Sequence, residues 1–463
     1  MNLNKAVSIQ SDRGARRLAK SLLLLGISIG YFMVLLDTTI VSVALPAIRD
    51  DLGGGVNGLQ WVVNAYTIVF AALLLSMGAL ADKWGAKRVY LIGLVLFLIA
   101  SALMAAAPSL GILISLRAVL GAGGAALTPA SLALIARAFP DPAERARALG
   151  IWAAVTGIAM AAGPVVGGFL VDSIGWRSIF LLNVPLALVS LVATSRLIGE
   201  TDRRPNRSFD AGGQLTALAA IAAVSFALME GETYGWSSPA ILASFGAALA
   251  GAILFAILET KAKDPLLPLA MFRNRAVSAG MLAGMAINVG LSGILFLLPL
   301  YDQQFRGLSA HSAGLALLPM MIPLAFNPIL TGRLVGRIGA RLPMTAGFAL
   351  AGIGALAQAW PEETGPASAF AGLLLIGFGV SLTIPSLMAA VLASVPKEQT
   401  GTASGALNAS RQLGATLGVA ILGSILSGSA SFMGGMRASL LVVTVLLFGG
   451  SLLSFAFIPG KKN

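Results

Sequence analysis

The chain is a succession of long apolar runs separated by short polar connections. The runs lie at about 21–45, 59–81, 89–107, 110–136, 148–171, 178–199, 211–230, 239–259, 276–300, 309–331, 342–360, 366–394, 402–427 and 437–458. Each is close to the ~20 residues a helix needs to cross the hydrocarbon layer. Lipid offers no partner to an open backbone, so each run is read as a helix. The short alternating segments of a membrane β-barrel do not occur in the sequence. The pattern predicts an all-α membrane protein of about fourteen transmembrane helices, numbered here as segments 1 to 14.

Composition agrees with the pattern. Hydrophobic residues make up 57% of the 463 positions and charged residues 11%, whereas a soluble domain is about a quarter charged. Cysteine is absent and His311 is the single histidine, so disulfides, thiol catalysis and Cys/His metal sites are excluded and no cofactor is expected. The apolar run after Arg13, Arg16, Arg17 and Lys20 is too long for a signal-peptide core and reads as a first span. No GxxxxGK[ST] loop occurs, so nucleotide drive is not expected. An enzyme would need clustered ligands or a nucleophile with its base, and the sequence supplies neither.

The net charge of +12 could suggest nucleic acid, but its placement sets topology instead. With the N-terminus taken as cytoplasmic, the outer connections hold only Arg49, Arg177, Arg306 and Arg437, and Arg117 lies inside segment 4. The remaining basic residues are assigned to the inner side, among them Lys20, Lys83, Lys87, Arg88, Arg137, Arg145, Arg203, Arg204, Arg207, Lys263, Lys397, Arg411, Lys461 and Lys462. Such a bias predicts cytoplasmic N- and C-termini in a bacterial inner (plasma) membrane, with the lipid bilayer and no nucleic acid as partner.

The chain also repeats. Gly121-Ala-Gly-Gly-Ala-Ala-Leu-Thr-Pro129 is echoed 256 positions on by Gly377-Phe-Gly-Val-Ser-Leu-Thr-Ile-Pro385. Gly78-Ala-Leu-Ala-Asp-Lys-Trp-Gly-Ala-Lys-Arg88 is echoed 254 positions on by Gly332-Arg-Leu-Val-Gly-Arg-Ile-Gly-Ala-Arg341. Segments 1–6 therefore correspond to 9–14, with 7 and 8 inserted. The expected division is an N-terminal six-helix bundle (1–200), two inserted helices (201–265) and a C-terminal six-helix bundle (266–463). Parallel halves around a central cavity are a transporter architecture.

Three motifs carry a family resemblance. The loop with Gly78, Asp82, Gly85, Lys87 and Arg88 resembles the GxLaDrxGrkr signature of the major facilitator superfamily, which implies gating; Asp82 is expected to cap a helix or pair with Arg137 or Arg145. Segment 5, with Gly157, Gly163, Pro164, Gly167 and Gly168, resembles the antiporter motif of superfamily exporters, against the plainer reading of small-residue packing. Leu36-Asp-Thr-Thr-Ile-Val-Ser-Val-Ala-Leu-Pro46 resembles the LDxTIVNVALP signature of the 14-spanner drug:proton antiporters. Two departures stand out. Gly336 occupies the position of the second loop's Asp, and the connection between segments 13 and 14 is only about ten residues.

Asp37 is the main chemical candidate, because a carboxylate inside a membrane helix is costly and marks function by default; a packing or capping role is the alternative. Arg117, at a comparable depth in segment 4, resembles the arginine of the family's RxxxG signature. It is expected to meet Asp37 directly or through water and to tune its proton. Glu230, Glu259, Asp302 and His311 lie near segment ends, where solvated positions are expected. Substrate-contact candidates are Tyr31, Trp61, Asn64, Tyr66, Trp152, Met160, Asn288, Phe296, Gln412, Asp302 and Glu230, with ordinary helix packing as the alternative for each. The resemblance implies a monomeric, proton-coupled antiporter that exports small lipophilic, often cationic drugs or antiseptics by alternating access. Export of an endogenous metabolite, lipid or siderophore is the second reading, a membrane-embedded enzyme a third, and a non-transporting sensor or scaffold a fourth.

Overall fold

The computed structural model describes residues 3–199, 210–262, 265–396 and 399–460. The basic residues Arg203, Arg204, Arg207, Lys263, Lys397, Lys461 and Lys462 fall outside them. Within them the chain is helical: α1 (Leu3–Leu52), α2 (Val56–Trp84), α3 (Ala86–Met104), α4 (Leu110–Ala138), α5 (Pro142–Ser173), α6 (Ser178–Leu181), α7 (Asn183–Leu197), α8 (Ala211–Tyr234), α9 (Pro239–Lys261), α10 (Arg275–Leu300), α11 (Ala310–Ala316), α12 (Leu318–Ile338), α13 (Arg341–Ala357), α14 (Pro361–Ala393), α15 (Thr400–Ser427) and α16 (Phe432–Phe457). Thirteen helices among the described residues are long and apolar enough to cross a membrane. Helix α13 is apolar but has 17 residues, about 26 Å, slightly short of a full crossing.

Several boundaries differ from the hydropathy reading, each for a local reason. Segment 6 breaks at Leu182 into α6 and α7, and segment 10 at Leu317 into α11 and α12. Segment 14 begins at Phe432 because Ser431 accepts the Gly434 N–H and caps the helix early. The connection before it is thus residues 428–431, shorter than the expected ten. After Pro299, α10 passes into a π-helical turn over Tyr301–Phe305.

The repeat is built into the packing. Gly121 of α4 rests on the Tyr66 carbonyl of α2, where a Cβ would come within 2.4 Å; Gly377 of α14 rests on the Met320 carbonyl of α12, where it would come within 2.3 Å. Gly123 against Gly93 recurs as Gly379 against Gly347. Gly85 and Gly339 hold φ of 97° and 84° at the turns into α3 and α13, a region open to glycine at no steric cost.

Successive helices alternate in direction, so the connections gather at two ends, named here by Asp51 and Asp82. Helices α1–α7 pack among themselves, as do α10–α16. These first and second halves meet through α5 with α11 and α12, and through α2 with α15. Helix α8 packs on α9, α2 and α15. Gln214 of α8 anchors it by donating to the Ala72 carbonyl (2.8 Å) and accepting from Ser76. Helix α9 exposes Leu242, Leu249, Ile253, Leu254 and Ile257. An apolar face of this size suits lipid, not water. Most of α10 is buried, which places it at the centre.

The halves close at the Asp51 end and part toward the Asp82 end. Gln60 of α2, fully buried, donates to the Val419 and Ala420 carbonyls of α15, both at 2.9 Å. Gln303 donates to the Val43 carbonyl at 2.9 Å. Along α5, a Cβ on Gly168 would strike Ala310, and one on Gly157 would strike Ala325 of α12. Two turns further toward the Asp82 end, a Cβ added at Gly150 would meet nothing within 4 Å among the described residues, and the same holds at Gly332 and Gly336 on α12.

Candidate functional site

Asp37 is fully buried in α1 and Arg117 is 1% exposed in α4. The Asp37 Oδ2 accepts from Arg117 Nη1 in a direct ion pair, as the comparable depths in sequence suggested. Arg117 is held from two further sides. Its Nε donates to the Val62 carbonyl at 2.8 Å, and its guanidinium lies 4.7 Å over the ring of Tyr66. The second carboxylate oxygen, Asp37 Oδ1, is buried without a hydrogen-bond partner. One half of the carboxylate is thus neutralised by a fixed cation, while the other half is buried with no protein partner. A carboxylate so placed can take up one proton on Oδ1 without dismantling the pair.

The antiporter-type glycines run beside this pair. Gly163 and Gly167 of α5 lie against Thr39, Ile40 and Val43 of α1, two to six residues from Asp37. Gly168 meets α11, Gly157 meets α12, and the Pro164 carbonyl abuts Gly314 of α11. One glycine-lined helix therefore touches both the Asp37 helix and the opposing half.

The loop between α2 and α3 lies at the open end. Lys87 reaches across to the end of α7, donating to the Ser195 carbonyl (3.0 Å) and the Ile198 carbonyl. Gly78 sits in ordinary contact with Pro129 of α4. Arg145 donates to the carbonyls of Phe139 and Pro140, both at 3.0 Å.

The substrate-contact candidates separate into groups. Tyr31 and Trp152 stack with centroids 4.1 Å apart, on the parting side of the interface. Asn288 of α10 holds Arg411, and Gln412 and Met160 are half-buried nearby in sequence on α15 and α5. Tyr66 belongs to the Asp37–Arg117 cluster. Three candidates are spent on the α2–α8 contact: Trp61 donates to Glu230 at 2.9 Å, and Asn64 to Met229 Sδ at 3.1 Å. Phe296 is buried inside α10.

Solvated positions were expected at the segment ends, and two of these expectations fail. Asp302 is 6% exposed because the π turn folds it inward, where Arg306 donates to it at 2.7 Å. Glu259 is 3% exposed, covered by the connection to α10, whose Leu267 N–H it accepts at 3.0 Å. Half-buried His311 sits at the start of α11 with its ring edge-on to Phe169, 6.2 Å away. Arg411 is a further correction. Assigned by charge counting to an inner connection, it lies well within α15.

Two helical halves closed at one end and open at the other, with a buried ion pair at their core, define a membrane transporter. The family model described as Major Facilitator Superfamily matches residues 27–419, and the chain belongs to that superfamily. Among its relatives, the multidrug resistance protein Stp of Mycobacterium tuberculosis is 38% identical over 88% of this chain and 76% of its own. The methylenomycin A resistance protein of Bacillus subtilis is 36% identical over 95% of both chains. The tetracenomycin C resistance and export protein of Streptomyces glaucescens is 32% identical over 87% of this chain and 75% of its own. These names agree with the drug:proton antiporter branch. A solved D-xylose-proton symporter shares the fold, with a TM-score of 0.70 over 95% of this chain and 98% of its own, at 16% identity.

Proposed function

We propose that this protein exports small lipophilic drugs across the bacterial inner (plasma) membrane in exchange for protons. The observation that carries the reading is Asp37, buried and paired through one oxygen while the other has no partner. Asp37 carries the proton, and Arg117 tunes when it leaves. The relatives named for resistance and export support drug efflux, and the splayed α5–α12 seam supports alternating access. Each proton entering down a 100 mV potential supplies about 2.3 kcal/mol. The Asp82 end, where the basic connections gather, is the cytoplasmic one, with both termini there. Fourteen spans divided at 1–200, 201–265 and 266–463, working as a monomer, complete the reading.

The test is antiport in proteoliposomes with an imposed pH gradient, adding ethidium, a quaternary ammonium compound, a neutral drug and the lipophilic anion fluorescein, alongside Asp37→Asn. Gradient collapse by a compound in the native protein but not in the variant upholds the reading. Silence from both proteins towards every compound sinks it. Cationic cargo is the part that the interior supports least, because the wall of the gap carries Arg411.

A further inference from the structure

Arg411 lies eleven residues past the start of α15, about 17 Å along a helix of about 42 Å. That places it near the middle of the membrane, where an uncompensated charge is costly and marks function. Its stem crosses α10 at Gly284, where an added Cβ would come within 3.2 Å of Arg411 Cγ. From there Nε donates to Asn288 Oδ1 and Nη1 to Asn408 Oδ1, both at 3.3 Å. A guanidinium has five N–H donors, so three remain unspent.

The two amides orient the guanidinium but cancel none of its charge. The cation inside α4, Arg117, has Asp37 as its counterion. Among the described residues no carboxylate forms an ion pair with Arg411. Its side chain is half-buried. Tyr31 of the first half stands within electrostatic reach of Arg411. Tyr31 is stacked flat on Trp152, with 12° between the rings. The forked cation of the second half thus stands near an aromatic pair of the first.

A planar, delocalised fork matches the two oxygens of a carboxylate, and flat aromatic faces match a lipophilic ring system. We infer that Arg411 is a substrate-recognition residue, and that the preferred cargo is lipophilic compounds carrying a carboxylate. This rests on the export reading and replaces its cationic element. Asn288 is a positioning residue that keeps the fork turned to the gap. A bound anion supplies the missing counterion, whereas a cation is repelled in a medium where charge is weakly screened.

The test compares three dyes of one scaffold, fluorescein, its methyl ester and rhodamine 6G, bound to the purified full chain in lipid nanodiscs. Native protein should bind fluorescein more tightly than the ester. Arg411→Gln should weaken fluorescein by roughly tenfold or more and leave the ester unchanged. Arg411→Lys, which keeps the charge without the fork, should fall between and guards against misfolding. Asn288→Leu should weaken fluorescein several-fold. Equal binding of acid and ester by the native protein overturns the inference, as does an equal loss of both in Arg411→Gln. Proton-driven flux separates the two readings. Flux of ester and rhodamine 6G without fluorescein leaves export standing and overturns the anion site. Selective acid binding without any flux supports the anion site and removes the export reading.

Discussion

Asp172, at the end of α5, caps the first turn of α11 in the opposing half. Its two oxygens accept from the backbone N–H groups of Ala310 and His311, at 3.1 and 2.9 Å. Those donors begin α11 and have no partner within their own helix, so the cap is also a latch across the interface at the Asp51 end.

Removing the latch should loosen that end. Losing such a cap costs about 1 kcal/mol, which is about a fivefold change in an opening equilibrium. The chain has no cysteine, so a single reporter is clean. Ala313→Cys, at a buried position on α11, should react with a membrane-impermeant maleimide about five times faster in the Asp172→Ala background. An unchanged rate would show that the cap does not hold the seam.

The glycine contacts should be position-specific. Alanine at Gly168 or Gly314 would set a Cβ within 2.3 or 2.1 Å of a carbonyl oxygen in the opposing half. Overpacking of this kind costs about 1–3 kcal/mol, so both variants should lose most efflux while still inserting. Gly150→Ala, facing open space, should retain native efflux and gain slightly in helix propensity. Equal effects at the three sites would remove the seam from the mechanism.

The Asp37–Arg117 pair predicts unequal stability losses. Arg117→Ala strands a buried carboxylate and should cost about 3–5 kcal/mol. The double replacement Asp37→Leu with Arg117→Met removes both charges and should recover much of that loss. Thermal unfolding in one detergent, read as a double-mutant cycle, checks it. Additive losses would mean that the two residues do not interact in the folded state.

Gln214 should matter less than its burial suggests. Hydrogen bonds between membrane helices average roughly 0.6 kcal/mol, so Gln214→Leu should cost about 1 kcal/mol through its two contacts with α2. A shift in melting temperature of a few degrees with native efflux is expected. Complete loss of transport would instead give α8 an active part in the cycle.

The spans were legible because lipid imposes a coarse rule, about twenty apolar residues per crossing, that survives errors of several positions. Asp37 and Arg117 were legible for the same reason, as charges standing inside apolar runs. Arg411 stood in such a run too, between Asn408 and Gln412, but counting it as loop charge hid the signal. Glu259 and Asp302 were misread because a position near a helix end says nothing about the chain that folds over it. The aromatic candidates could not be sorted by sequence. A helix that is apolar all round gives no periodicity to separate a lipid-facing ring from one facing a partner. Trp61 and Trp152 look alike on the page, yet Trp61 binds Glu230 of α8 while Trp152 stacks on Tyr31 of α1.

The bare strip along α5 has one more consequence. Interlocked side chains must be immobilised each time two surfaces engage, and that entropy is lost on every stroke. Glycine has nothing to immobilise. Contact between Gly157 and Ala325, or between Gly168 and Ala310, can therefore be made and broken with little friction, and the unoccupied faces at Gly150, Gly332 and Gly336 offer the same smooth surface further along. Helix α5 works as a bearing, and its wear tolerance is a single methyl group.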